Sequence, residues 1–180
     1  MNETTETIKQ RILTNIAIRL AVHTDASRIA EVHMRSWEVA YKDIIPADFI
    51  REKNASRLAL WCQLITDENT TKYVIQTDGL IIGFMSIDQA RDDDLNDNCY
   101  ELQAIYLHPD YFRLGAGTHA VTFAFNTARR LGKSNIVVWV LEKNTSSIKF
   151  YENCGFIVDG KTQTLNYGKA LKAIRMMRNI

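Results

Sequence analysis

Proline is scarce in this chain, with two in 180 residues, and cysteine nearly as scarce, with three. Few prolines leave long stretches in which nothing forbids a helix or an inner strand. Cys62, Cys99 and Cys154 are odd in number and far apart, so neither a disulfide framework nor a zinc site of close-spaced ligands is expected, and the setting is read as reducing and cytoplasmic. The four histidines add no paired ligand spacing, so no metal is expected. No apolar run reaches membrane-spanning length, and Ile12 to Leu20 is broken by Thr14, Asn15 and Arg19, which also spoils a signal peptide. Nor is one sign of charge in excess. A formal charge of +1, with lysine and arginine scattered, excludes the concentrated basic surface that nucleic-acid binding needs.

What is present is ordinary globular composition, 46% hydrophobic and 24% charged, over a length suited to one core. A polar leader is expected over residues 1–15 and a single domain over 16–180. The apolar run IAIRLAV (16–22) predicts a strand, and helical spacing follows a cap at Thr24 or Asp25. Pro46 suits the first turn of a second helix running to about residue 67. TKYVIQ and LIIGFMSI flank Asp78-Gly79, the dipeptide of a tight hairpin. YELQAIYL is a fourth strand, residues 115–131 a third helix, and NIVVWVL a strand apolar enough to be covered on both faces. TSSIKFYENCG is a fourth helix closed by Gly155, and two strands near 156–163 and 171–179 end the chain. The order predicts an α/β fold with a mixed, mostly antiparallel sheet flanked by helices on both faces.

The stretch YFRLGAGTHA (111–120) sets an arginine and two glycines before the third helix. Bare backbone at a helix start exposes N–H groups and admits close approach, the usual way of holding phosphate. It is not a Walker A loop, because no Gly-Lys-Ser/Thr closes it. Gly115-Ala116-Gly117-Thr118-His119-Ala120 does fit the dinucleotide fingerprint, and Glu142 stands 22 residues past Ala120. In that fold, however, the first glycine ends the strand itself, whereas seven residues here separate Leu107 from Gly115. Only 38 residues follow Glu142, too few for a second nucleotide-binding half.

Taken together, ELQAIYLHPDYFRLGAG, the helix after it, VVWVLEKN and SIKFYENCGF resemble the GCN5-related N-acetyltransferase superfamily over about residues 99–157. The family loop reads Gln/Arg-x-x-Gly-x-Gly/Ala; this chain matches at Gly115 and Gly117 and departs with Phe112 at the first position. The resemblance implies acetyl-coenzyme A as co-substrate, its pyrophosphate held along Phe112, Arg113, Leu114, Gly115, Ala116, Gly117 and Thr118. It also implies a fourth strand splayed from the fifth, leaving N–H groups at Ile105 and Leu107 for the thioester carbonyl and the pantetheine arm. Asn144 matches an asparagine that bonds that arm, and Tyr151 the tyrosine that protonates the departing thiolate. Glu101 stands where relatives carry a general-base glutamate, which an alkyl amine, protonated near neutral pH, would need.

The implied reaction is direct acetyl transfer to a primary amine, on a small molecule in the first reading and on a protein or peptide in the alternative. A coenzyme-binding module without catalysis is the competing class, and a homodimer is compatible with either. Cys154, at a helix C-terminus, is a poor place for a thiolate nucleophile. Trp37 and Tyr41, four apart on the first helix, share a face that either packs in the core or borders the acceptor groove. The acidic run DQARDDDLNDN (88–98) is either a solvated loop or a field that draws cationic, polyamine-like acceptors.

Overall fold

The computed structural model describes residues 7, 14–67 and 71–180, so most of the expected leader lies outside the described residues. The domain is a seven-stranded sheet in the order β1-β2-β3-β4-β5-β7-β6. Its strands are β1 (Ile16–Leu20), β2 (Lys72–Thr77), β3 (Leu80–Gln89), β4 (Cys99–Leu107), β5 (Asn135–Leu141), β6 (Ile157–Asn166) and β7 (Ala170–Asn179). Every neighbouring pair is antiparallel except β4 with β5. Asp78 and Gly79 both take positive φ, 50° and 79°, and make the two-residue turn that matches the right-handed twist of β2 and β3.

The helices are α1 (Ala26–Ala40), α2 (Ala47–Ala55), α3 (Arg57–Leu64), α4 (Ala116–Arg130) and α5 (Thr145–Asn153). Helices α4 and α5 bury Ala120, Ala124, Phe125 and Tyr151 on one face of the sheet with Ile136, Val138 and Met176. On the other face α1 and α3 pack Ile29, Val32 and Trp61 on Val74 and Phe84, and α1 and α2 pack Trp37 and Ile50 on Leu141 and Ala173. The single helix expected over 46–67 is two. Ser56, at φ −103° and ψ 2°, leaves the helical region, and Arg57 opens a new helix that turns Trp61 inward. Arg57 is thereby carried inside with it, at 5% exposure.

Two irregularities in β4 shape the centre of the molecule. Ser86 pairs with Ala104 and Ile87 with Leu102, so Gln103 is an extra residue that bends the strand. On the opposite side, β4 pairs with β5 only from Cys99↔Asn135 to Glu101↔Val137, while β5 stays paired with β7 along its whole length. Beyond Glu101 the sheet forks.

Candidate active site

The fork opens into a cavity of about 600 Å³ that Ile105, Tyr106 and Leu107 line from β4 and Trp139 and Val140 from β5. Hydrogen-bond direction alternates along a strand, and His108 N–H donates to Ile82 O on the β3 side at 2.7 Å. The N–H groups of Leu107 and Ile105 therefore face the fork, where no pairing to β5 is found.

The glycine loop closes one end. Arg113 has φ 60°, unusual for a residue with a Cβ, and Gly115 has φ 89° before α4 begins. Left-handed positions next to a helix start turn successive N–H groups into one concavity, and no side chain caps α4. Phe112, Arg113, Gly115, Gly117 and Thr118 line the cavity, whereas Leu114 and Ala116 do not; the Ala116 side chain is fully buried in the core. Gly117 has a second reason to be glycine. A Cβ there would come within 3.1 Å of the Phe150 ring on α5, so the ring would have to shift by a few tenths of an ångström to admit a side chain, whether or not a phosphate is bound.

Helix α5 supplies the opposite wall. Asn144 Oδ1 accepts from Ser147 N–H at 3.1 Å and caps the helix, which leaves its amide nitrogen to the cavity it lines. Tyr151 also lines the cavity at 7% exposure, and its hydroxyl has no partner among the described residues. Burial first, then the nearby Tyr106 and Cys154, push its phenol well above the ordinary range, so it stays protonated. Cys154 is buried and its thiol is likewise pushed up, burial leading.

Glu101 is not brought into the cavity lining. It sits on the last rung of the β4–β5 pairing, 2% exposed, with Oε2 2.9 Å from Arg91 Nε and Oε1 2.6 Å from Arg91 Nη2. It shares a sheet face with its pairing partner Val137 and, two residues along β5, with Trp139, whose ring lines the cavity.

Two aspartates of the acidic run, Asp92 and Asp94, are tied to the sheet. Arg175 of β7 reaches Asp92 at 3.1 Å, Asp94 at 2.8 Å and Asp159 at 2.6 Å, and Lys161 adds a contact to Asp94 at 3.2 Å. These bonds to Arg175 and Lys161 hold the Asp94 carboxyl well below its usual range. Trp139 Nε1 donates to Asp92 at 3.0 Å. The loop is a strap tied across β5 and β7 through Asp92 and Asp94.

The α1 side carries an aromatic cluster that sequence spacing identified only at Trp37 and Tyr41, whose rings meet edge to face at 5.4 Å. Trp37 packs in the core, while Tyr41 lines the cavity. The Tyr41 and Tyr106 hydroxyls are 3.3 Å apart, and His33 stacks on Tyr106 at 4.8 Å between centroids. Tyr167, from the β6–β7 turn, joins Trp37 at 5.7 Å. Tyr106 was within reach of the sequence, since it alternates with Ile105 and Leu107; Trp139 and Arg57 were not singled out. Arg57 had one signal, a cation four residues before the apolar-face Trp61.

Among the described residues no group of His, Cys, Asp and Glu is placed to hold a metal, and no helix is long and apolar enough to cross a membrane. Residues 26–156 match the model of the "Acetyltransferase (GNAT) family". The chain is 31% identical over 145 residues to the uncharacterized N-acetyltransferase YuaI of Bacillus subtilis, covering 76% of this chain and 78% of that protein. It is 27% identical over 147 residues to an uncharacterized N-acetyltransferase of Mycobacterium bovis, covering 81% and 90%. Among solved structures it is similar to the PaiA N-acetyltransferase of Thermoplasma acidophilum in complex with coenzyme A, with TM-score 0.74, 20% identity and coverage of 92% and 99%. A putative acetyltransferase of Salmonella typhimurium, YncA, solved with acetyl-CoA, superposes with TM-score 0.64 at 23% identity, covering 92% and 94%.

Proposed function

Since the chain belongs to the acetyltransferase (GNAT) family and is an N-acetyltransferase, we propose that the forked cavity binds acetyl-coenzyme A and passes its acetyl group directly to a primary amine on a small molecule. One observation carries this reading. The unpaired N–H groups of β4, the uncapped start of α4 and the Tyr151 hydroxyl all border one cavity.

In this reading the backbone from Phe112 to Thr118 takes the pyrophosphate, favoured by the helix N-terminus and by the left-handed turns at Arg113 and Gly115. Leu114 and Ala116 contribute N–H groups only. Asn144 donates its amide to the pantetheine arm. N–H groups at Ile105 and Leu107 hold that arm and the thioester carbonyl, and donate to the oxyanion as the amine attacks. The oxyanion then collapses, the C–S bond breaks, the Tyr151 phenol gives its proton to the leaving sulfur, and the proton still on the new amide nitrogen returns to the phenolate through water. The attacking amine must lose a proton first. Glu101 receives it through water, because Arg91 occupies both of its oxygens and the carboxylate lies outside the cavity lining.

Support for direct transfer comes from Cys154, whose buried, protonated thiol suits packing and not nucleophilic attack. Thiol release from saturating acetyl-coenzyme A with a panel of amines tests the reading. The expected result is amine-dependent release with equimolar N-acetyl product. Failure to bind acetyl-coenzyme A by calorimetry would overturn it, and binding without release for any small or peptide amine would favour the non-catalytic class.

A further inference from the structure

Six buried side-chain atoms among the described residues lack a hydrogen-bond partner, and four of them fall in one place: His33 Nε2, Trp37 Nε1, Arg57 Nε and Arg57 Nη2. Arg57 lies over the Trp37 ring, 4.1 Å from its centroid, and the His33 ring is 5.6 Å from that of Trp37. His33 Nδ1 accepts from Trp61 Nε1 at 3.1 Å, so the neutral imidazole carries its hydrogen on Nε2. It is neutral because burial, with help from the Arg57 charge, brings its pKa down to about 3. All four orphan atoms are therefore donors.

Among the described residues the cluster also holds one formal positive charge with no carboxylate against it. No carboxylate pairs with Arg57 among the described residues, and the groups that act on its charge are the phenols of Tyr106, Tyr167 and Tyr41. Burial keeps Tyr41 and Tyr167 protonated. Orphan buried donors are costly, and a buried cation without a counter-charge costs more still. Four orphan donors around one cation define what is missing, an anion with several acceptor lone pairs.

The cluster lies behind one wall of the forked cavity, with His33, Trp37 and Arg57 outside its lining. Tyr41 and Tyr106 line the cavity, and Arg57 sits by the wall they form without lining the cavity itself. Their hydroxyl contact, at 3.3 Å, is longer than a good O–H···O bond. Arg57 presents a planar fork with one charge, which a carboxylate matches in geometry and neutralises one for one.

We propose that Arg57, with the indole N–H of Trp37, anchors a carboxylate of the acceptor, so that the molecule acetylated carries its amine and a carboxylate together, as amino acids do. This rests on the coenzyme reading of the cavity and replaces the cationic acceptor that the acidic run suggested.

The test uses the full chain with coenzyme A bound, a panel of amino acids and the carboxamide of each, and inorganic phosphate. Amino acids are expected to raise Tm and the carboxamides to leave it unchanged. With acetyl-coenzyme A, kcat/KM is expected to favour the carboxylate over its carboxamide by about tenfold or more, the scale of one charge-assisted contact. Arg57→Gln should erase the preference through KM, with coenzyme affinity as in the parent. Trp37→Phe, which keeps the ring and removes the N–H, should weaken the preference and serves if the arginine variant fails to fold. No Tm rise from any amino acid, a rise from phosphate alone, equal rates within the pairs, or a preference that survives both variants would overturn the proposal. Coenzyme binding with any of those results sinks this inference alone, whereas absence of coenzyme binding sinks the reading beneath it.

Discussion

Two arginines are buried on the same side of the sheet and live in opposite circumstances. Arg175, 3% exposed, is tied to Asp92, Asp94 and Asp159, while Arg57, 5% exposed, has no carboxylate partner among the described residues. The matched arginine closes a strap and belongs to the architecture. The unmatched one is a stability liability that a fold has no reason to keep unless something else completes it. Burial is nearly equal in the two, so it is charge matching and not burial that tells them apart.

The largest effect we expect concerns neither arginine, and it tests whether a ligand site exists beside them at all. Gly115→Val places a β-branched residue at φ 89° and should cost acetyl-coenzyme A affinity about 100-fold or more by calorimetry. Affinity equal to the parent would remove the glycine loop from the site. Next in size, Tyr151→Phe should lower kcat by roughly tenfold or more with coenzyme affinity little changed. Because Tyr151 is held protonated, the parent's kcat should show no alkaline fall near the ordinary phenol value of 10.0. A fall there, abolished in Tyr151→Phe, would mean that the phenol is solvated and the burial argument is wrong.

The two arginines are compared directly by stability. Arg175→Met removes the cation shared by Asp92, Asp94 and Asp159, leaving Lys161 on Asp94 and Trp139 on Asp92, and should destabilise by about 2 kcal/mol in urea melts, within the range for a broken, partly exposed network. Arg57→Met should cost nothing or raise the midpoint, because an unsatisfied cation is replaced by an apolar chain of similar length. Equal losses in both variants would erase the distinction.

The smallest effect is on pH dependence. Arg175 lowers the folded-state pKa of Asp94. Stability from that shift is fully present above the unfolded value of 3.8 and is lost as pH falls through the folded one. The acid-side decline of the parent should therefore be shallower in Arg175→Met, and an unchanged slope would show that the strap carries no such linkage.

Local signals made most of the fold legible. Asp78-Gly79 marked its hairpin, continuous apolar residues marked β5, and the glycines marked the start of α4. The break at Ser56 was not readable, because Asn54-Ala55-Ser56 contains neither proline nor glycine and the new helix direction is fixed by burying Trp61. Of the residues expected at the site, those lining the cavity were given by motif, since backbone geometry near a glycine loop is written locally. What escaped the sequence depends on distant partners. Asp94 meets Arg175 across 81 residues, and that contact decides that the acidic run is a strap. Arg91 meets Glu101 ten residues away across a loop and occupies both of its oxygens. The orphaned state of Arg57 could not be read at all, because the lack of a partner is a property of the whole fold.

Rapid mixing of the protein with acetyl-coenzyme A, followed by quench and intact mass, tests the central claim most directly. Without amine, the account predicts no acetylated protein and no released thiol; with an accepted amine, thiol and N-acetyl product should appear together in equal amounts. An acetyl group found on the protein before amine is added, or thiol released in a burst ahead of product, would contradict direct transfer through the fork.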